Sequence, residues 1–224
     1  MAYLNEEQHK IVSDAVGEAE LHTSGEIVTV LADRSDQYND IALLWAAAMA
    51  FTAMSLFAAL PQPFLDLWDG LIGGWGHQWS TGQLASMTIA LGLITFIASW
   101  AAQLFEPLKF ALIPGPVAFS RCHAQAIKHF KVGAESRTRG RTGVLIYLSM
   151  REHRAEIVAD DSIAEKVNAE VWGEAMGDML AHIKTGHIAE GMAAGVRDVG
   201  FVLAQHFPRD DDDQNELPDR LIEV

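Results

Sequence analysis

Three aspartates and an arginine in this 224-residue chain stand next to apolar runs that read as strands, where α/β proteins place reactive side chains. Asp33 follows the run Glu26-Ile27-Val28-Thr29-Val30-Leu31, and Asp160 with Asp161 follows Arg154-Ala155-Glu156-Ile157-Val158-Ala159. Arg141 precedes a third run, Gly143-Val144-Leu145-Ile146-Tyr147-Leu148-Ser149. Carboxylates at such loop positions are hard-oxygen donors, so Asp33, Asp160 and Asp161 are candidate ligands for a divalent cation. A second chemistry is open to the same residues: an Asp attacks a phosphoryl group while Arg141 stabilises charge. The plainer alternative is that Asp160, Asp161 and Ser162 cap the helix that follows.

Other chemistries lack their residues. The nine histidines do not fall into metal-binding pairs: His182 and His187, like His123 and His129, are neither three nor four apart on a helix face. The single cysteine, Cys122, excludes an intramolecular disulfide and reads as a packing residue. The acids from Asp210 to Glu216 lack the central Gly and terminal Glu of an EF-hand loop. There is no phosphate-binding Gly-rich loop, Gly-x-Ser-x-Gly elbow or His-Glu-x-x-His pair.

The elements that position the candidates are legible from periodicity. Asn5 caps a first helix, with Gln8 reaching back to it, and Ile11, Val12, Ala15, Val16 and Ala19 form its apolar face up to a break at Thr23-Ser24-Gly25. Residues 117–130 read as a second helix closing near Lys131-Val132-Gly133. Residues 143–149 are apolar on both faces, as in a central strand, and Met150-Arg151-Glu152-His153 is short enough to turn a hairpin into residues 154–159. Two apolar stripes at helical spacing finish the domain, one from Trp172 to Ile183 and one from Ile188 to Leu203. Gly191, Ala194 and Gly195 on the latter would permit close packing on the sheet.

Inside this pattern sit two long charge-free apolar stretches, residues 41–60 and 84–105. A helix rising about 1.5 Å per residue over either length crosses roughly 30 Å of hydrocarbon. Neither carries the charged face that a buried helix of a soluble protein usually shows. The expected layout is a split domain: residues 1–40 give its first helix and strand, and 41–108 a transmembrane pair with an extracytoplasmic linker at 61–83. Residues 109–207 give the remainder, and 208–224 an acidic tail. The opening residues lack the basic and apolar regions of a signal peptide, so the first membrane helix is expected to direct insertion. Residues 61–83 contain no Lys or Arg, whereas seven occur between Lys109 and Arg141, which predicts a multi-pass protein of a cell inner membrane with both termini cytoplasmic. Trp68, Trp75 and Trp79 place the linker along the outer interface.

A net charge of −14 excludes a general nucleic-acid binder. Arg137, Arg139 and Arg141 form a local basic stripe suited to anionic headgroups, unless they are simply a solvated loop. The expected partners are membrane lipid and another membrane protein, with a homo-oligomer left open.

The ordered series Ser24-Gly25-Glu26-Ile27-Val28-Thr29-Val30, His129-Phe130-Lys131-Val132-Gly133, Arg141-Thr142-Gly143-Val144-Leu145-Ile146-Tyr147-Leu148-Ser149, Glu156-Ile157-Val158-Ala159-Asp160 and a Gly-rich last helix resembles the TPM domain family. The closing Asn215-Glu216-Leu217-Pro218-Asp219-Arg220-Leu221 is similar to a bacterial membrane branch of it. The resemblance implies an α/β/α sandwich with a mixed sheet, here split by an inserted transmembrane helix pair. It also implies one of several roles, since members are described as acid phosphatases, calcium binders, or assembly and repair factors. Many members carry an Asp-containing turn where this chain has Arg139-Gly140-Arg141-Thr142, which removes a cation ligand and adds positive charge. The reading that follows is an interaction or maintenance factor for other membrane proteins. The alternatives are a membrane-tethered phosphatase, using calcium or magnesium if metal-dependent, and a calcium-binding module.

Overall fold

The computed structural model describes residues 3–72, 78–133, 142–209 and 217–224. Helix α1 (Glu6–Glu20) starts at a reciprocal capping box: Gln8 N–H donates to Asn5 Oδ1 at 2.8 Å, and Asn5 N–H to Gln8 Oε1 at 3.0 Å. Its Val12, Ala15, Val16 and Ala19 are buried, as the apolar spacing predicts. Strand β1 (Glu26–Ala32) is buried along its whole length, which its β-branched run prepares for. Beyond residue 114 come α6 (Gly115–Gly133), β2 (Gly143–Ser149), β3 (Arg154–Ala159), the short α7 (Asp161–Ala164), α8 (Ala169–Lys184), α9 (Ile188–His206) and β4 (Ile222–Glu223).

These strands form one four-stranded mixed sheet in the order β3-β2-β1-β4. β1 runs parallel to β2, from Glu26 opposite Gly143 to Ala32 opposite Ser149, and β3 returns antiparallel to β2. Side-chain alternation separates two cores. Ile27, Leu31, Val144, Ile146 and Leu148 face α1, α8 and α9, while Val28, Val30, Leu145 and Tyr147 face Cys122, Ala126 and Phe130 of α6. The fold is therefore α/β/α, with the sheet as the middle layer.

Two local expectations are corrected. Gly191 and Gly195 face α8 rather than the sheet: a Cβ on Gly191 would lie 2.7 Å from Ile183 Cγ1, and one on Gly195 3.1 Å from Met179 Sδ. The close approach to α1 belongs to Gly200, whose Cβ would lie 2.6 Å from that of Ala19. The second correction concerns the C-terminus. The acidic run 210–215 lies outside the described residues, but the residues after it are built into the domain. Leu217 and Leu221 are buried, and β4 adds to β1 in parallel, Ile222 opposite Val30 and Glu223 opposite Leu31.

Residues 37–114 form a separate compact unit, and residues 1–36 with 115–224 the other. The former holds α2 (Asn39–Ala59), α3 (Pro61–Ile72), α4 (Thr81–Ala102) and α5 (Glu106–Ala111). α2 and α4 are long and apolar enough to cross a membrane, and only 22% and 6% of their most apolar windows are buried, unlike core helices of a soluble domain. They pack antiparallel, Met54 filling the notch over Gly92 and Gln103 reaching Ala42 O at 3.1 Å. α4 begins and ends about three residues before the predicted 84–105 span. A capping box of Ser80 with Gln83 sets its start, a signal that hydropathy alone passes over. The linker, read as an interfacial stretch, contains the helix α3, whose Phe64, Leu67, Trp68 and Leu71 are exposed along one stripe.

Candidate functional site

The loops leaving the C-terminal ends of parallel strands are where open α/β sheets place their ligand sites, and here they follow β1 and β2. Asp33 is the first residue after β1. Its Oδ1 accepts from the Tyr3 hydroxyl and, at 3.2 Å, from Arg151 Nε; its Oδ2 accepts from Arg34 Nε at 2.9 Å. Its backbone is held too, with Arg151 N–H donating to Asp33 O and Asp33 N–H to Val224 O. The Tyr3 hydrogen bond, joined by the two guanidinium groups, keeps the Asp33 carboxyl below its usual range against the opposing effect of burial. Reciprocally, burial and the Asp33 carboxylate push the Tyr3 phenol up.

The next residues of the loop are fastened in the same way. Ser35 N–H donates to Glu152 Oε1 at 2.8 Å, and Ser35 Oγ pairs with the Tyr147 hydroxyl at 3.1 Å. Glu152 Oε2 accepts from the Ser149 hydroxyl, and Asp36 forms an ion pair with Arg121 of α6. Below them Tyr147 and Cys122 are fully buried. Burial pushes the Tyr147 phenol up to about 12 and the Cys122 thiol up to about 11, so both stay protonated at neutral pH. A protonated, enclosed thiol is no nucleophile, in line with the packing role read from sequence. His129 stacks on Tyr147, and burial lowers its pKa.

Asp160 lies at the other end of the sheet. It follows Ala159, which pairs with Val144, which in turn pairs with Ile27. Asp33 is six residues further along β1 than Ile27, about 20 Å at strand rise. The two carboxylates cannot share an ion whose ligands sit about 2.4 Å from it. Asp160 is buried and occupies the N-cap position of α7, but its side chain does not cap that helix. Its Oδ2 accepts from Gly143 N–H at 3.0 Å, fastening the start of β2 to the end of β3. Asp161 is exposed in the first turn of α7, and Arg141 lies outside the described residues. Two further buried carboxylates at this end also accept backbone N–H groups, Glu20 from Ile27 and Glu26 from Leu217.

Among the described residues, neither end gathers a ligand set for a divalent cation. Among the described residues no three His, Cys, Asp or Glu side chains converge on a point where an ion could sit. Asp33, the candidate ligand at the C-terminal edge, is flanked by two guanidinium groups that already neutralise it. Sequence reasoning singled out Asp33 but missed Tyr3, Ser35, Tyr147, Arg151 and Glu152. Only the hairpin prediction carried a signal, since it places Arg151 and Glu152 beside the end of the central strand.

Residues 120–201, from α6 into α9, match the family model for the TPM domain. The NMR structure of the BA42 protein from the psychrophilic bacterium Bizionia argentinensis has a similar fold, with a TM-score of 0.57 over 100% of this chain and 97% of that one. At 18% identity the likeness is one of fold. Comparison with curated proteins finds no match.

Proposed function

This chain is a TPM-domain protein with two helices able to span a membrane, and from that premise we propose that it is a membrane-anchored interaction or maintenance factor for other membrane proteins. One observation carries the reading: the carboxylates at the C-terminal sheet edge are engaged by the protein's own groups. Asp33 is held by Tyr3, Arg34 and Arg151, Asp36 by Arg121, and Glu152 by Ser35 and Ser149. Phosphoryl transfer through a carboxylate needs that group free to attack, or free to hold a metal or water. A fastened loop edge is instead a preformed surface, which a partner engages with little ordering cost. The absence of Lys and Arg from residues 61–83 supports a cytoplasmic TPM domain on an inner-membrane hairpin.

Crosslinking in intact membranes tests the reading, with capture of one reproducible membrane-protein partner as the expected result. In parallel, the purified protein should hydrolyse a generic phosphomonoester only at background, with or without calcium or magnesium. Metal-dependent turnover well above background that is lost in Asp33→Asn or Asp160→Asn would overturn the adaptor role in favour of a tethered phosphatase.

A further inference from the structure

The edge of β1 away from β2 is covered by residues 217–224, a strap laid parallel to the strand. Ile222 stands opposite Val30 and Glu223 opposite Leu31, and the pairing is extended by Val224 N–H donating to Leu31 O and Asp33 N–H to Val224 O, both at 2.9 Å. Leu217 N–H donates to Glu26 Oε2 at 3.2 Å. Side chains alternate over the two faces: Leu221 enters the core beneath α1, and Leu217 and Ile222 the core beneath α6. Glu223 is received by the N-terminal segment, its Oε1 accepting from Tyr3 N–H and its Oε2 lying 3.1 Å from His9 Nε2.

The strap has the features of a bound peptide. It pairs with β1 over two residues, whereas β2 pairs over seven, and it adds one fully buried side chain to each core, Leu217 and Leu221. The chain ahead of it is fastened independently, since Phe207 O accepts from Ser24 N–H at 3.1 Å and from the Thr23 hydroxyl at 2.6 Å. Residues 210–216, between that anchor and the strap, carry five acids and no base, and like charges repel. We propose that the outer edge of β1 is a docking groove for an extended segment of a partner protein, and that residues 217–224 occupy it as a built-in competitor which that segment displaces. Strand addition to a sheet edge supplies affinity through the backbone and specificity through alternate side chains. The strap states the chemistry the groove takes: a Leu, three further residues, two apolar side chains turned to opposite faces, then a carboxylate for Tyr3 N–H and His9. The proposal rests on the adaptor role proposed above and gives it a site.

The test uses the purified full chain with a site-specific protease sequence placed within residues 210–215, so that one cut turns the strap into a free peptide. By circular dichroism the cut protein should stay folded after the strap is dialysed away; unfolding would make the strap a structural part of the sheet and overturn the proposal. A fluorescent peptide of residues 217–224 should bind the cut protein, read by anisotropy, and not the uncut one, whose edge is occupied. The Glu223→Gln peptide should bind about tenfold more weakly, because it loses charge-assisted hydrogen bonds. A peptide with the exposed Pro218, Arg220 and Val224 all changed to Ser should bind nearly as well as the parent. No binding, or equal binding of the Glu223→Gln peptide, would overturn the groove. A dimer of the uncut chain that dissociates on Glu223→Gln would assign the edge to a second copy and overturn the partner segment. Crosslinking in intact membranes separates this from failure of the adaptor role: Glu223→Gln in the full chain should raise the yield of the captured partner by freeing the edge. Capture of no partner by either protein would overturn the adaptor role even where the peptide binds, whereas equal capture by both would overturn the groove alone.

Discussion

Asp33 connects the N-terminal Tyr3, the hairpin residue Arg151 and its own neighbour Arg34 through one carboxylate. Because the folded state lowers its pKa, the ionised form is the one that folding favours. The stabilisation is complete above the unfolded carboxylate value near 4 and is lost as pH falls through the lower folded value. Asp33→Asn should thus destabilise the protein by about 1 kcal/mol at pH 7, a figure reduced for the side chain's partial exposure. Denaturant melts of the two proteins should converge as pH falls through the lowered folded value of Asp33, below which both lack the charge; a gap that stays constant as the solution is acidified would contradict the role given to the carboxylate. Cys122 gives a second expectation at this scale. With its thiol enclosed and pushed up to about 11, it should resist a thiol reagent at pH 8 in the folded protein and react once the protein is unfolded. Cys122 was readable in advance because a small apolar residue on a helical stripe packs inward. The partners of Asp33 were not, since Tyr3 and Arg151 lie 30 and 118 residues away and only the sheet brings them together.

At the scale of elements, the glycines of α8 and α9 distinguish contact from mere presence. Gly200 lets α9 approach α1 at Ala19, whereas Gly173 on α8 has open space where a Cβ would be. Gly200→Val should destabilise by about 1 to 3 kcal/mol through overpacking. Gly173→Ala should be neutral or stabilise by up to about 1 kcal/mol, because it only restricts the unfolded chain and improves helix propensity. Thermal melts of the two variants check the pair, and equal destabilisation would show that the helix interface has been misread. The three longer strands and the domain's principal helices were legible because each carries a period of its own. β4 was not: two residues after an acidic run have no period, and what marks them is burial of Leu217 and Leu221 against a strand almost 200 residues earlier. The same limit applies to the helix of the linker, where aromatic content pointed to an interface but the stripe of Phe64, Leu67, Trp68 and Leu71 went unread.

For the molecule as a whole, the proposed membrane orientation is a prediction from the distribution of positive charge. Gln78 is exposed before α4, and Glu7 is exposed on α1. In intact cells, Gln78→Cys should react with a membrane-impermeant thiol reagent and Glu7→Cys should not; the native Cys122, being buried, need not be removed. The opposite labelling pattern would place the TPM domain outside the cytoplasm. The sheet order adds a consequence for biosynthesis. β1 lies between β2 and β4, yet it leaves the ribosome before the hairpin, while both of its neighbours leave after it. At about 5–20 residues per second, the 117 residues from Glu26 to its partner Gly143 keep β1 waiting on the order of ten seconds, with both edges unpaired. If α2 and α4 both cross the bilayer, β1 and β2 emerge on the same side and the sheet closes. If only one crosses, they are stranded on opposite faces and no sheet can form, so an error of insertion becomes an unfolded domain open to proteolysis.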